Sequence, residues 1–442
     1  MPLPPPDPAG EAKMLETYDG KNAPDAVPLE ERVREDRLHA SLYTDPDIFH
    51  REIERIFHGG WVWVAHESEI PEPGDFKTTE IGLSPIIVTR AKSGRVHVLL
   101  NRCRHKAATV CESQRGNTSS FTCPYHAWSY GLDGRLLGIP YEDGYDGLVD
   151  KKQLPLHALE VGIYAGLIFA SMNPEVEPLD SFLGPARPWI DLFMHQGGGF
   201  PVKASGAHAF RFNGNWKIQL ENTTDAYHFP FVHRSFIHSV SAEMAKTFTT
   251  FVRQEGPHVR ALGNGHSVAV FFPENVDIRS DDGRPIPAHF EPLAAELARQ
   301  FPMDRVRWII RAIGGVGFNL NLFPNIGLSA AFLRELRPLA VDRTEIRHIA
   351  LTMDGAPAEV NRLRLRLHEK FQGSGGFGSP DDMEAWERVQ RGAGADRDDM
   401  WILLNRGLGR EKADADGQRH SHVTDETGMR EAYAMWRKAM IG

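Results

Sequence analysis

Between Asn101 and Gly134 the chain reads NRCRHKAATVCESQRGNTSSFTCPYHAWSYGLDG. Cys103-x-His105 is followed, seventeen residues on, by Cys123-x-x-His126. Two short loops each offer one thiolate and one imidazole, with room between them for a strand excursion. No other feature limits the fold as tightly, because side chains from two distant loops must meet at one place. A Rieske 2Fe–2S centre uses this donor set, with two histidines replacing two cysteines on one iron. A structural zinc ion also accepts Cys2His2, but zinc fingers usually pair C-x2–4-C with H-x3–5-H. The order here is Cys-His, Cys-His, which favours the cluster. With only three cysteines in the chain, four scattered core residues would be a poor account. The third, Cys111, reads as a small buried apolar residue near the cluster.

A second constellation, NTTDAYHFPFVHRSFIH, spans residues 222–238. Asp225 and His228 share a helix face at their spacing. His233 lies five residues further, about 140° away on a continuing helix. Pro230 disfavours α geometry at Phe229 and cannot extend the hydrogen-bond ladder, so the chain is expected to re-aim there. Two imidazoles beside such a break can converge on one metal. With a carboxylate from elsewhere they would form a two-His-one-carboxylate face, leaving positions open at Fe(II). Histidine pairs at irregular spacing are more often structural, and the pair alone leaves both readings open.

A chain of 442 residues is long for one core, so two domains are expected. Hydrophobic residues at 41% and charged residues at 25% describe an ordinary soluble globular protein. A net charge of −9 argues against a nucleic-acid partner, which needs a basic face, and is compatible with docking small charged redox proteins. No apolar run approaches the roughly 20 residues of a membrane span. MPLPPPDPAGEAK at the start lacks the basic and apolar regions of a signal peptide. Too few cysteines for a disulfide framework suggest a reducing cytoplasm.

Residues 1 to about 28, rich in Pro, Gly and Asp, read as an extended or mobile arm. A helix is expected over Pro46 to Phe57, capped by Thr44 or Asp45 and ended by Gly59-Gly60, with Ile48, Phe49, Ile53, Ile56 and Phe57 on its apolar face. From Trp61 to about Asn173 short β segments alternate with turns such as 91–94 and Asp133-Gly134. Pro-rich sequence around 174–188 reads as a boundary. Beyond it strands (AHAFRFNG, NLNLFPNIGLS, EIRHIALTMDG) mix with helices at 358–371 and 425–440. The class is α+β, with an all-β insert of about 110 residues inside a larger domain.

Together the two constellations resemble the large (α) subunit of Rieske non-haem iron aromatic-ring-hydroxylating oxygenases, over nearly the whole chain. The resemblance rests on the Cys103–His126 signature and on Asn222-x-x-Asp225-x-Tyr227-His228-x4-His233 downstream of Asn215-Trp216-Lys217. It implies that Cys103, His105, Cys123 and His126 bind the cluster and that His228 and His233 bind a mononuclear Fe(II). Asp225 would be the bridging acid, hydrogen-bonded to His228 and reaching His126 of a neighbouring subunit. GGFGSPDDMEAW resembles the segment carrying the third ligand, which points to Asp382, the second acid of its pair, at a helix N-terminus. Asp381 then reads as a cap, and Asp396, Asp398 and Asp399 as solvated charges.

The implied architecture is an all-β Rieske domain (60–175) inserted in a catalytic domain (176–442, with 1–59 as arm and helices) whose central antiparallel sheet is flanked by helices. The implied assembly is a head-to-tail homotrimer, or α3β3 with a small β subunit, fed NAD(P)H electrons by a reductase and sometimes a ferredoxin. GFNLNLFPNIGLS followed by ELRPLAVDRTEI looks like the benzoate, salicylate and anthranilate branch, hence mono- or cis-dihydroxylation of an aromatic carboxylate with O2. Asn222, Phe229 and Asn319 are pocket candidates. Asn319 and Leu322 would lie on the strand approaching the iron, and Gly378 at a position often bulky in hydrocarbon-oxidising relatives. Arg307 or Arg311 would be a partner for a substrate carboxylate. The alternatives are a neutral arene as substrate, a Rieske electron carrier that leaves the 222–233 set idle, and a zinc-stabilised binding module.

Overall fold

The computed structural model describes residues 27–279, 283–395 and 400–442. The arm expected over 1–28 therefore falls almost wholly outside the described residues, as do Asp396, Asp398 and Asp399.

Asp45 accepts hydrogen bonds from the backbone N–H groups of Asp47 and Ile48, capping a helix over Pro46–Glu52. Thr44 instead ends the short helix Ser41–Thr44. The expected single α-helix does not run through to Phe57: Ile53–His58 widens to a π turn. All five apolar-face residues are nevertheless buried.

Three small antiparallel sheets follow. One orders Val96–Leu100, Ser84–Arg90, Asp75–Ile81 and Arg115–Asn117; another joins Ser120–Thr122, Ser129–Gly131 and Leu136–Gly138. In the third, the hairpin Glu160–Tyr164/Leu167–Ser171 closes on Val62–His66. Alternating burial in Asp75–Ile81 is what a half-covered strand requires. The fully buried Val62–His66 and Leu167–Ser171 read as continuous apolar runs because both of their faces are covered.

The larger part is built on a nine-stranded antiparallel sheet. Its order is Val202–Phe212, Arg343–Met353, Phe332–Ala340, Ile326–Ser329, Phe318–Leu322, His266–Val270, His258–Gly263, Arg419–His422 and Lys412–Ala413. Ala358–Gln372, Ser379–Ala393 and Thr427–Ile441 are the long helices packed around it. The Pro-rich stretch around 174–188, expected as a boundary, carries two helices, Leu179–Leu183 and Arg187–Met194. Pro178, Pro185 and Pro188 stand at caps or first-turn positions, where a missing N–H costs nothing. Leu179, Phe182, Ile190 and Phe193 share one core with Trp63, Phe169 and the large sheet.

Chain ends and middle are tied together. Arg37–His39 pairs with Trp401–Leu403. Glu52, fully buried, accepts from Trp216 Nε1 (2.8 Å), Lys217 Nζ (2.6 Å) and Trp436 Nε1 (2.6 Å). The Asn325 side chain braces Trp63 through both backbone groups, at 3.0 and 2.9 Å.

Candidate active site

The two cysteine loops are built alike. In the first, Cys103 N–H donates to Ala108 O and Ala107 N–H to Cys103 O. In the second, Cys123 N–H donates to Trp128 O and Ala127 N–H to Cys123 O. Each loop reverses through a left-handed alanine, Ala107 (φ 61°) or Ala127 (φ 55°). Such strain in a non-glycine residue persists only where its surroundings enforce it. The loops present both cysteines to the interior and both histidines outward. Cys103 and Cys123 are buried, His105 half-buried and His126 exposed. The two imidazole centroids are 4.5 Å apart, and His105 stacks on Trp128 at 4.9 Å. Tyr130 Oη lies 3.2 Å from Cys103 Sγ and accepts the Arg104 N–H.

This arrangement fits a binuclear cluster, to which Cys103 and Cys123 would offer thiolates from the interior and His105 and His126 imidazoles from nearer the surface. A single zinc ion needs all four donors around one point. Among the described residues only His228, His233 and Asp382 bring three such donors within 4.8 Å of one another. Cys111 is half-buried rather than buried, its loop held by Asn101, which accepts from the Val110 and Cys111 N–H groups.

The helix Trp216–Asn222 starts on its Asn215 cap and stops at Thr223. Residues 223–228 form a turn, so Asp225 and His228 do not share a helix face as their spacing suggested. Instead Asp225 Oδ1 caps the turn, accepting the Tyr227 N–H at 2.7 Å. Nor does the chain re-aim at Pro230, which sits in the first turn of the short helix Phe229–Val232, where proline is favoured. The second break falls at His233 (φ −91°, ψ 36°), before the helix Arg234–Ser239. These two breaks turn both imidazoles inward.

His228 Nε2 and His233 Nε2 are 3.3 Å apart. Asp382 Oδ1 lies 3.5 Å from the first and 3.2 Å from the second. Three ligands about 2.1 Å from one ion at right angles would stand roughly 3 Å apart, so the set has the size of one octahedral face. His228 Nδ1 is 3.2 Å from Asp225 Oδ2, while His233 Nδ1 is buried and has no hydrogen-bond partner among the described residues. Burial pulls the His228 imidazole down, but Asp225 and Asp382 outweigh it and hold it above its usual range. Burial raises Asp382, yet the hydrogen bond from His233 and the charges of both histidines and Arg334 bring it below the ordinary range.

Asp382 is the fourth residue of Ser379–Ala393, where the helix dipole favours a carboxylate. Asp381 does not cap that helix; it accepts from Ser235 Oγ at 2.6 Å. Asn222 Nδ2 stands 3.3 Å from both His228 Nε2 and Asp382 Oδ1. Phe229 contacts His233 (5.0 Å between centroids) and packs with Phe236, Phe248, Phe251 and Phe371. Asn319 donates to Thr223 O at 3.0 Å and accepts from Ser329 Oγ, so both ends of its amide are engaged. Leu322 is wholly buried in the core. Arg307 and Arg311 lie on Met303–Ile313, which packs on Glu291–Leu297 and Ala358–Gln372 rather than on the elements carrying the triad. A Cβ at Gly378 would come within 2.7 Å of the Phe371 ring, which fills that space. Phe371, Arg334 and His348 border this site without having been singled out in the sequence. Phe371 offered only helical periodicity, while the other two lie on strands whose pattern gives no hint of a neighbouring metal.

Residues 60–155 match the Rieske [2Fe-2S] domain family, and residues 202–442 match the ring hydroxylating alpha subunit (catalytic domain) family. The chain belongs to the ring hydroxylating alpha subunits. It is 35% identical over 385 residues to toluate 1,2-dioxygenase subunit alpha of Pseudomonas putida, spanning 82% of this chain and 81% of the relative. It is 31% identical over 390 residues to the anthranilate 1,2-dioxygenase large subunit of Acinetobacter baylyi, spanning 84% and 80%. In three dimensions it resembles naphthalene 1,2-dioxygenase from Rhodococcus sp. bound to indole, with a TM-score of 0.75, 28% identity, and 92% and 94% of the two chains covered. As a ring hydroxylating alpha subunit it is an oxidoreductase that carries a Rieske cluster and a mononuclear iron and is supplied with NAD(P)H electrons through a reductase. The electron-carrier and zinc-module readings fall away with that membership. Among the described residues no helix is long and apolar enough to cross a membrane.

Proposed function

We propose that this alpha subunit hydroxylates the ring of an aromatic carboxylate of the benzoate type, by one- or two-oxygen insertion from O2. The observation that carries the oxygenase chemistry is the 3.2–3.5 Å convergence of His228, His233 and Asp382. Cys103, His105, Cys123 and His126 hold the cluster. When bound, the mononuclear iron supplies open coordination positions for activating O2 beside the substrate. The protein's own part is to arrange what surrounds that position. Asp225 orients His228 through Nδ1, Asn222 presents its amide to the donor atoms, and Phe229 with Phe371 forms an apolar wall. Asn319 shapes the pocket indirectly, by holding the Thr223 carbonyl.

The benzoate-type substrate is supported by the relatives, which act on toluate and anthranilate. We place residues 1–59 and 176–442 in the catalytic domain and 60–175 in the Rieske domain, supported by the Arg37–His39/Trp401–Leu403 pairing and the Glu52 junction. The working assembly is a head-to-tail homotrimer or α3β3, served by a reductase with or without a ferredoxin, in the cytoplasm. Exposed aromatic and aliphatic side chains near both sites support it. Tyr125, Tyr141 and Leu148 (65, 90 and 88% exposed) lie on the cluster loops or the segment beside them, and Tyr227 and Phe231 (47 and 57%) flank Asp225 and His228.

Product analysis tests the function. The purified chain with a reconstituted electron supply is given benzoates, salicylates and neutral arenes under labelled O2. About three irons per chain and label in a hydroxylated carboxylate are expected. Turnover confined to neutral arenes would reject the substrate class.

A further inference from the structure

Arg334 lies on Phe332–Ala340, is 5% exposed, and stands directly opposite His348 on Arg343–Met353. Among the described residues no carboxylate approaches it within ion-pair distance, although Asp382 is near enough to stabilise its charge. Burial lowers the guanidinium only to about 10, so it stays cationic at neutral pH. A buried cation without a contacting anion is costly and needs a reason.

Its contacts supply one. Nη1 reaches Thr223 Oγ1 at 3.4 Å, and with the Gln219 amide oxygen turned toward it, also that oxygen at 2.8 Å. Both partners belong to the end of the helix and the turn that lead to His228. On the other side Nε donates to His348 Nε2 at 3.1 Å. Burial and the Arg334 charge keep the His348 ring neutral, so with Nε2 accepting, the ring proton sits on Nδ1. That atom is 3.4 Å from Gln372 O and 3.5 Å from Ser379 Oγ. Ser379 is the first residue of the helix carrying Asp382 and also donates to Gln372 Oε1 at 2.8 Å.

We propose that Arg334 is a positioning residue, one buried cation that links the turn before His228 to the helix bearing Asp382 and offsets the Asp382 charge, so that the three donors converge before metal arrives. The inference rests on the triad as the metal site. It differs from the usual support of a ligand by hydrogen bonds to its own side chain, because Arg334 acts on the two backbone elements and on the local field.

The test is Co(II) and Fe(II) affinity by equilibrium dialysis, on cluster-loaded protein stripped of its mononuclear metal. Arg334→Met keeps length and apolar bulk without charge; it is expected to weaken binding roughly 10–100-fold, with the Rieske absorbance unchanged. Arg334→Lys restores the charge and is expected to recover most of that loss. His348→Gln leaves Arg334 on Thr223 and Gln219 but releases Ser379, so a smaller loss is expected, which keeps the test decisive if Arg334→Met fails to fold. Wild-type affinity in both Arg334→Met and His348→Gln overturns the proposal. So does unchanged metal affinity with a raised KM for carboxylate substrates only, which would make Arg334 a substrate anchor. Wild-type protein that binds no mononuclear metal would instead reject the triad on which the proposal depends.

Discussion

At Asp382 a carboxylate only 3% exposed faces two imidazoles and an amide, whereas its neighbour Asp381 bonds a surface serine. Adjacent residues on a helix point about 100° apart, so one acid enters the site and the other does not. Asp382→Ala is therefore expected to lose the mononuclear iron and all product while the Rieske spectrum persists. Asp381→Ala is expected to keep both metals and to cost no more than about 1 kcal/mol of stability, the worth of one exposed hydrogen bond. Iron analysis with visible absorbance and thermal unfolding of both variants checks this, and the reverse pattern would move the ligand to Asp381. The choice within the pair came from resemblance to a family segment. Spacing alone could not make it, because both acids stand in the first turns of the same helix.

Among the elements, Trp216–Asn222 is the one on which the site hangs, and its far side is pinned by a second polar cluster. Glu221 accepts hydrogen bonds from the phenols of Tyr43 (2.6 Å) and Tyr433. Burial pushes its carboxyl up to about 7, against the phenol bonds and the Lys217 charge that pull it down. The folded pKa thus exceeds the unfolded value near 4.5. The native state binds more protons between these pH values, so stability contributed by this group is full below about pH 4.5 and is lost as pH rises to about 7. The size is at most about 3 kcal/mol, reduced because Glu221 keeps part of its surface exposed. Glu221→Gln keeps an acceptor for both phenols and should flatten this part of the stability curve. Denaturant unfolding at pH 5 and 7.5 tests it, and an unchanged pH difference would put the dependence elsewhere. The helix was not among the elements expected from periodicity. Its seven residues are short for such a signal, and five of them are buried, so no apolar stripe stands out.

On the scale of the whole molecule, exposed aromatic side chains stand beside both sites, Tyr125 against His126 (3.8 Å between ring centroids) and Tyr227 with Phe231 next to His228 in the chain. In a head-to-tail ring, one of these regions on each protomer would cover the other on its neighbour. Phe231, 57% exposed beside Tyr227 at 5.8 Å, is the side chain to test. If the proposed trimer forms through this face, Phe231→Lys is expected to leave both metals in place, to shift the protein from trimer toward monomer, and to slow turnover at least tenfold. Light scattering coupled to size exclusion, with iron analysis, reads the outcome; a variant that remains a fully active trimer would remove this face from the interface.

The sequence by itself pointed to Cys103, His105, Cys123 and His126 as one donor set, to His228 and His233 as a pair, and to the order of the main strands and of two long helices. It could do so because Cys-His spacing, alternation and turn residues are local signals. It misplaced what local signals cannot carry. Prolines around 174–188 marked a boundary without revealing the two short helices there, whose Leu179, Phe182, Ile190 and Phe193 enter a core. Pro230 looked like a break because the neighbouring turn at 223–228 could not be seen. Only the tertiary structure decided that Asp382, some 150 residues beyond the histidines, meets them. It alone brought Arg334, His348 and Phe371 to the same place. Strand register and helix packing create those contacts, and both depend on partners far apart in the chain, so no window of neighbouring residues contains them.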